Sequence, residues 1–66
     1  MERDKYLALC RQAKLQPQTT VLYMENRFTP LAYKLHFDSN GNAIHTAVIH
    51  SLKANSVIEC PLANVY

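Results

Sequence analysis

Three histidines, His36, His45 and His50, and two cysteines, Cys10 and Cys60, are the side chains of this chain best suited to a borderline metal ion. Even an open catalytic zinc site needs three such ligands at converging positions. Their spacing does not converge. On one regular strand His45 and His50, five residues apart, would face opposite sides of a sheet. A cross-strand His36/His45 pair assisted by Asp38 is the nearest approach to a ligand set, and two half-exposed imidazoles on a wet sheet face account for it more simply. The cysteines lie far apart with no C-x-x-C partner, which excludes zinc-module and dithiol redox spacings. As free thiols they pack like small hydrophobes; a Cys10–Cys60 bridge is the lesser alternative.

Nucleophilic catalysis would need a serine or cysteine held beside a histidine, with oxyanion donors close by. No such motif is present, the five acidic residues are scattered singly, and one glycine cannot make a phosphate-cradling loop. The expectation is a non-enzymatic protein with no catalytic residues, no metal, no cofactor and no evident small-molecule substrate.

Charge points to a second kind of chemistry. Residues 1–14 hold Arg3, Lys5, Arg11 and Lys14 against Glu2 and Asp4, whereas residues 15–66 carry three basic and three acidic residues, so the net charge of +2 belongs to the N-terminal segment. Arg3, Arg11 and Lys14 fall on one flank of a helix there and could touch backbone phosphates. Nucleic-acid binding through that flank is the alternative function; a solvated helix face is the plainer reading.

The elements that must position these residues follow from periodicity. Tyr6, Leu9, Cys10 and Ala13 stand at i, i+3, i+4 and i+7, which predicts a helix over residues 2–14, with acidic residues at its start, Lys14 at its end and Pro17 beyond it. From Thr19 to residue 66 the chain reads as a β-meander. Strands are expected at Thr19–Met24, Leu31–Asp38, Ala43–Ser51 and Ser56–Leu62, with Glu25-Asn26-Arg27 as the first turn. Leu31, Tyr33, Leu35 and Phe37 alternate with polar or small residues, the two-residue period of a half-buried strand. Asp38-Ser39-Asn40-Gly41 suits either a two-residue turn or a type I turn followed by a left-handed glycine. A two-residue turn or four-residue loop pairs Phe37 with Ile44, Leu35 with Thr46 and Tyr33 with Val48, and collects the larger apolar residues on one face. The three-residue bulged turn slips this by one residue and removes the His36/His45 pair.

The fold class is therefore α+β: one domain spanning residues 1–66, an N-terminal helix packed on a four-stranded antiparallel meander, open or curled toward an SH3-like barrel. Its expected core is Tyr6, Leu9, Cys10, Ala13, Leu22, Tyr33, Leu35, Phe37, Ile44, Val48 and Ile58. Ala43, Ala47 and Ile49 then lie on the opposite face of the third strand. One helix covers only one face, so these three are the expected protein interface, for a second copy in a homo-oligomer or for another protein. No apolar run approaches the roughly 20 residues of a membrane helix and no signal-peptide h-region is present, so the expected location is cytoplasmic with no membrane partner.

Phe28-x-Pro30-x-x-Tyr33-x-Leu35-x-Phe37-Asp38, with His45-Thr46-Ala47-x-x-His50 and Lys53-Ala54-Asn55-Ser56-Val57, resembles short uncharacterised bacterial proteins of plasmids, conjugative elements and phages. The resemblance covers most of the chain and implies a mobile-element setting, without any activity or site residue. The function expected is a small interaction module that self-associates or blocks a larger partner, as an accessory or anti-defence factor of such an element.

Overall fold

A computed structural model describes residues 1–66 throughout. Helix α1 (Arg3–Leu15) is followed by β1 (Val21–Tyr23), β2 (Asn26–Phe37), β3 (Ala43–Ser51), β4 (Ser56–Pro61) and a short 3-10 turn at Leu62–Asn64. Asp4 in the first turn and Lys14 in the last complement the helix dipole, and the helix stops before Pro17. Tyr6 and Cys10 are its buried residues, with Leu9 partly buried beside them.

The strands form an antiparallel sheet in the order β1-β2-β3-β4. A long β2 makes the curl. Its first residues pair with β1, from Val21↔Phe28 to Tyr23↔Asn26, and the rest pairs with β3, with a register shift between Pro30 and Ala32. Pro30 has no backbone donor to offer a ladder, and a bulge is where a strand accommodates that and bends. Beyond the 3-10 turn the chain returns to β1: Tyr23 bridges Val65, and Leu22 and Tyr66 exchange two backbone hydrogen bonds of 2.7 and 2.8 Å. The result is α+β with the sheet curled into a half-barrel, consistent with the expected curl toward an SH3-like barrel.

The first turn differs from expectation. It is Met24-Glu25 alone, and Asn26 and Arg27 already belong to β2. The central register differs too. Phe37 pairs with Ala43, Leu35 with His45, Tyr33 with Ala47 and His36 with Ile44. The cause lies in the turn. Asp38 and Asn42 are joined by a backbone bond of 3.0 Å and Gly41 N–H donates to Asp38 C=O at 3.0 Å, while Gly41 has φ +81°, leaving a three-residue turn. That is the bulged form with a left-handed glycine, and it slips β3 by one residue. One Asp38 carboxylate oxygen accepts the backbone N–H of both Asn40 and Asn42 at 2.9 Å, which favours this turn over the two-residue one.

The core moves with the register. Tyr6, Cys10, Val21, Phe28, Ala47, Ile49, Cys60, Leu62 and Val65 form one buried cluster, with Met1, Leu9, Tyr23, Tyr33 and Ile58 packed against it. Leu22, Leu35, Phe37 and Ile44, all expected inside, are exposed. Small residues of β3 sit opposite large residues of β2, and this leaves space for the helix. Tyr6 is fully buried and its hydroxyl donates to the Val48 carbonyl at 2.8 Å, so α1, which packs against β2, reaches β3 through this side chain.

Candidate interaction surface

Of the three residues expected as an interface, Ala47 and Ile49 are 0% exposed and belong to the chain's own core. Only Ala43 is exposed. The expectation fails because an α1 tyrosine and the returning residues Leu62 and Val65 cover the face that β3 shares with Ala47 and Ile49.

One exposed apolar patch lies toward the tip of the β2–β3 hairpin. The core-side face of the hairpin continues past the buried cluster as Leu35, Phe37, Ala43 and His45, and Phe37 is 65% exposed at its end. Ile44 stands on the reverse face beside His36. Of the molecule's 38 × 23 × 16 Å extents, the long axis fits the length of a strand of 12 residues such as β2 at roughly 3.3 Å per residue. One charge at the tip is unpaired, that of the exposed Asp38 carboxylate. Lys34 on the reverse face pairs with Glu59 of β4 at 3.0 Å, and Asp38 is occupied by the turn, whose backbone donors, Asn42 foremost, hold its carboxyl below the usual carboxylate range.

The histidines do not come together. His36 and Thr46 share a hydrogen bond of 3.0 Å on the reverse face, and His45 on the core-side face bonds and stacks with Tyr33. His50 holds Asn55 at 3.2 Å across the β3–β4 turn. No three His, Cys, Asp or Glu side chains converge closely enough to ligate a metal ion. Cys10 and Cys60 are buried free thiols, and burial pushes both above the ordinary thiol range. Burial likewise drives the Tyr6 phenol up.

Arg3, Arg11 and Lys14 are exposed along α1. Arg3 is paired with Asp4 at 3.3 Å, whereas Arg11 and Lys14 have no ion-pair partner. No helix is long and apolar enough to cross a membrane. Comparison of the chain with protein-family models, with curated proteins and with solved structures finds no match.

Proposed function

We propose that this protein is a small non-enzymatic interaction module that associates with a second copy of itself through the outer half of the β2–β3 hairpin. The exposure of Phe37, with Leu35 and Ala43 on the same face, carries this reading. An apolar side chain left in water at the end of a strand gains free energy when another surface covers it. A second copy suits the patch because a two-fold interface sets the same patch of both subunits against each other, and an apolar patch is complementary to itself. Lys34 is neutralised by Glu59, which leaves the ionised Asp38 carboxylate as the charge that the two copies must hold apart. A patch this small gives a weak, concentration-dependent dimer. The resemblance to mobile-element proteins extends the reading to an accessory or anti-defence role in which the same hairpin engages a larger host protein.

Light scattering coupled to size exclusion tests it over a range of protein concentrations. The expected result is a mass rising toward the dimer, abolished by Phe37→Ser with the fold retained. A mass that stays monomeric up to roughly millimolar protein overturns self-association. If instead the ligand is removed by nuclease, weakens steeply with salt and depends on Arg3, Arg11 and Lys14, the protein binds nucleic acid through α1.

A further inference from the structure

At the end of the molecule away from the hairpin tip, a cleft of about 600 Å³ opens between the β1–β2 and β3–β4 turns. It is lined by Asn26, Arg27, Phe28, Ser51, Lys53 and Ala54. We propose that this cleft binds a phosphate-type anion between Arg27 and Lys53.

The first ground is charge. Two of the six lining residues are cationic and none is acidic, and neither Arg27 nor Lys53 takes part in an ion pair. Glu25 neighbours Asn26 in sequence but does not line the cleft. Two uncompensated cations sharing one concavity repel each other, and an anion between them removes that repulsion. The second ground is donor chemistry. Arg27 is oriented by one bond, from Nη1 to Thr20 Oγ1 at 3.2 Å, and its other guanidinium donors are free to fork onto phosphate oxygens. Ser51 Oγ accepts the backbone N–H of Ala54 at 3.1 Å, so its own proton is available to a ligand. Lys53 adds three donors on a flexible stem.

The third ground is independent of charge. The three non-glycine residues with left-handed backbones, Met24 (φ 49°), Glu25 (φ 66°) and Asn55 (φ 50°), all lie in the two turns that border the cleft. Met24-Glu25 takes positive φ as two-residue hairpin turns do and Asn tolerates it at position 55, so both borders of the cleft are tight turns of defined backbone shape. Asn26 Nδ2 donates to Met24 C=O at 3.0 Å and His50 bonds Asn55, so both turns are fixed in these conformations by side chains. The volume lies in the range of small-ligand sites and would admit a mononucleotide as well as an inorganic anion.

Titration of ¹⁵N-labelled protein at constant ionic strength with pyrophosphate, with a 5′-mononucleotide and with a short single-stranded oligonucleotide tests the site. Saturable shifts centred on Asn26, Arg27, Ser51, Lys53 and Ala54 with at least one probe are expected. Pyrophosphate or mononucleotide binding more tightly than the oligonucleotide identifies a free phosphate ligand; the reverse order identifies a nucleic-acid backbone. Arg27→Gln and Lys53→Gln are each expected to weaken binding about tenfold. Lys53 makes no bond within the chain, so the second variant reports on binding even if the first disturbs Thr20. Shifts centred on Arg3, Arg11 and Lys14, affinity unchanged in both variants, or no saturable response to any probe would overturn the proposal.

Discussion

Ile49 concentrates the physical difference between an interface residue and a core residue. It is fully buried in the cluster that contains Tyr6, Ala47 and Cys60, so a carboxyl there would lie among apolar side chains with no partner, at a cost whether it is charged or protonated. Ile49→Asp is expected to cost more than about 4 kcal/mol, a large share of the stability of so short a chain. Circular dichroism should therefore show an unfolded protein, and a folded monomer would mean that this face of β3 is open. Thr19 offers the opposite experiment. Its Oγ1 is buried without a hydrogen-bond partner, so Thr19→Val keeps the shape, removes the orphan and should raise stability by about 1 kcal/mol in urea unfolding. The buried Tyr6, Cys10 and Cys60 set the pH dependence. All three are pushed above their ordinary values by burial, so between the unfolded and folded values the native state binds more protons. The thiol contribution is complete below the unfolded thiol value of about 8.5 and is lost as pH rises from there through the raised folded values, whereas that of Tyr6 begins to be lost only above the unfolded phenol value of about 10. The urea midpoint should fall between pH 7 and pH 10, and less so in a Cys10→Ala, Cys60→Ala double variant.

At the scale of elements, the turns decide what the strands present. Gly41 has open space around the position of a Cβ, so the effect of Gly41→Ala comes from the left-handed backbone alone and should be a loss of about 1 kcal/mol. Met24-Glu25 is the converse case. Both residues of this two-residue turn have positive φ, the geometry that Asn-Gly adopts readily, and replacing the pair by Asn-Gly should stabilise the protein by about 1 kcal/mol or more. Chemical denaturation measures both, and a Gly41→Ala variant as stable as its parent would contradict the turn described. These turns also show why some of the molecule was legible in the sequence and some was not. The helix announced itself through Tyr6, Leu9, Cys10 and Ala13, because a 3.6-residue period is local information. Strand existence was equally local, in the alternation from Leu31 to Phe37. Register was not, because one residue of slip exchanges the faces of β3, and the choice rests on Asp38 accepting two backbone N–H groups that composition does not reveal. By its position along β3 Ala47 falls on the face that one helix was expected to leave open, yet it is buried in the cluster that contains Tyr6. The first turn was legible near Glu25 but not its two-residue, left-handed form, since neither Met24 nor Glu25 favours that backbone. The cleft beside it joins residues some 25 positions apart and depends on the β2–β3 pairing of Thr29 with His50.

For the whole molecule, the return of Val65 and Tyr66 to β1 does for this chain what a larger core does for a longer one. Val65 is fully buried and bridges Tyr23, while Tyr66 and Leu22 exchange two backbone bonds, so β1 is paired on both sides and the core between helix and sheet is covered. A chain of this length still buries a modest fraction of its surface, and the proposed covering of Phe37 and Leu35 by a second copy would add stability that depends on concentration. Because dimerisation binds the folded state and not the unfolded one, the melting temperature should rise with protein concentration. At a hundredfold excess over the dissociation constant the linkage is worth about 2.7 kcal/mol, which for a domain of this size corresponds to roughly 10 °C or more. Phe37→Ser should remove the dependence and leave the melting temperature at high dilution nearly unchanged, since that side chain contributes little to the monomer's own core. Differential scanning calorimetry of both proteins from about 10 μM to 1 mM checks this, the range in which a weak interface of this size would associate. A parent protein whose melting temperature is flat across that range would show that the exposed hairpin serves some purpose other than joining two copies of the chain.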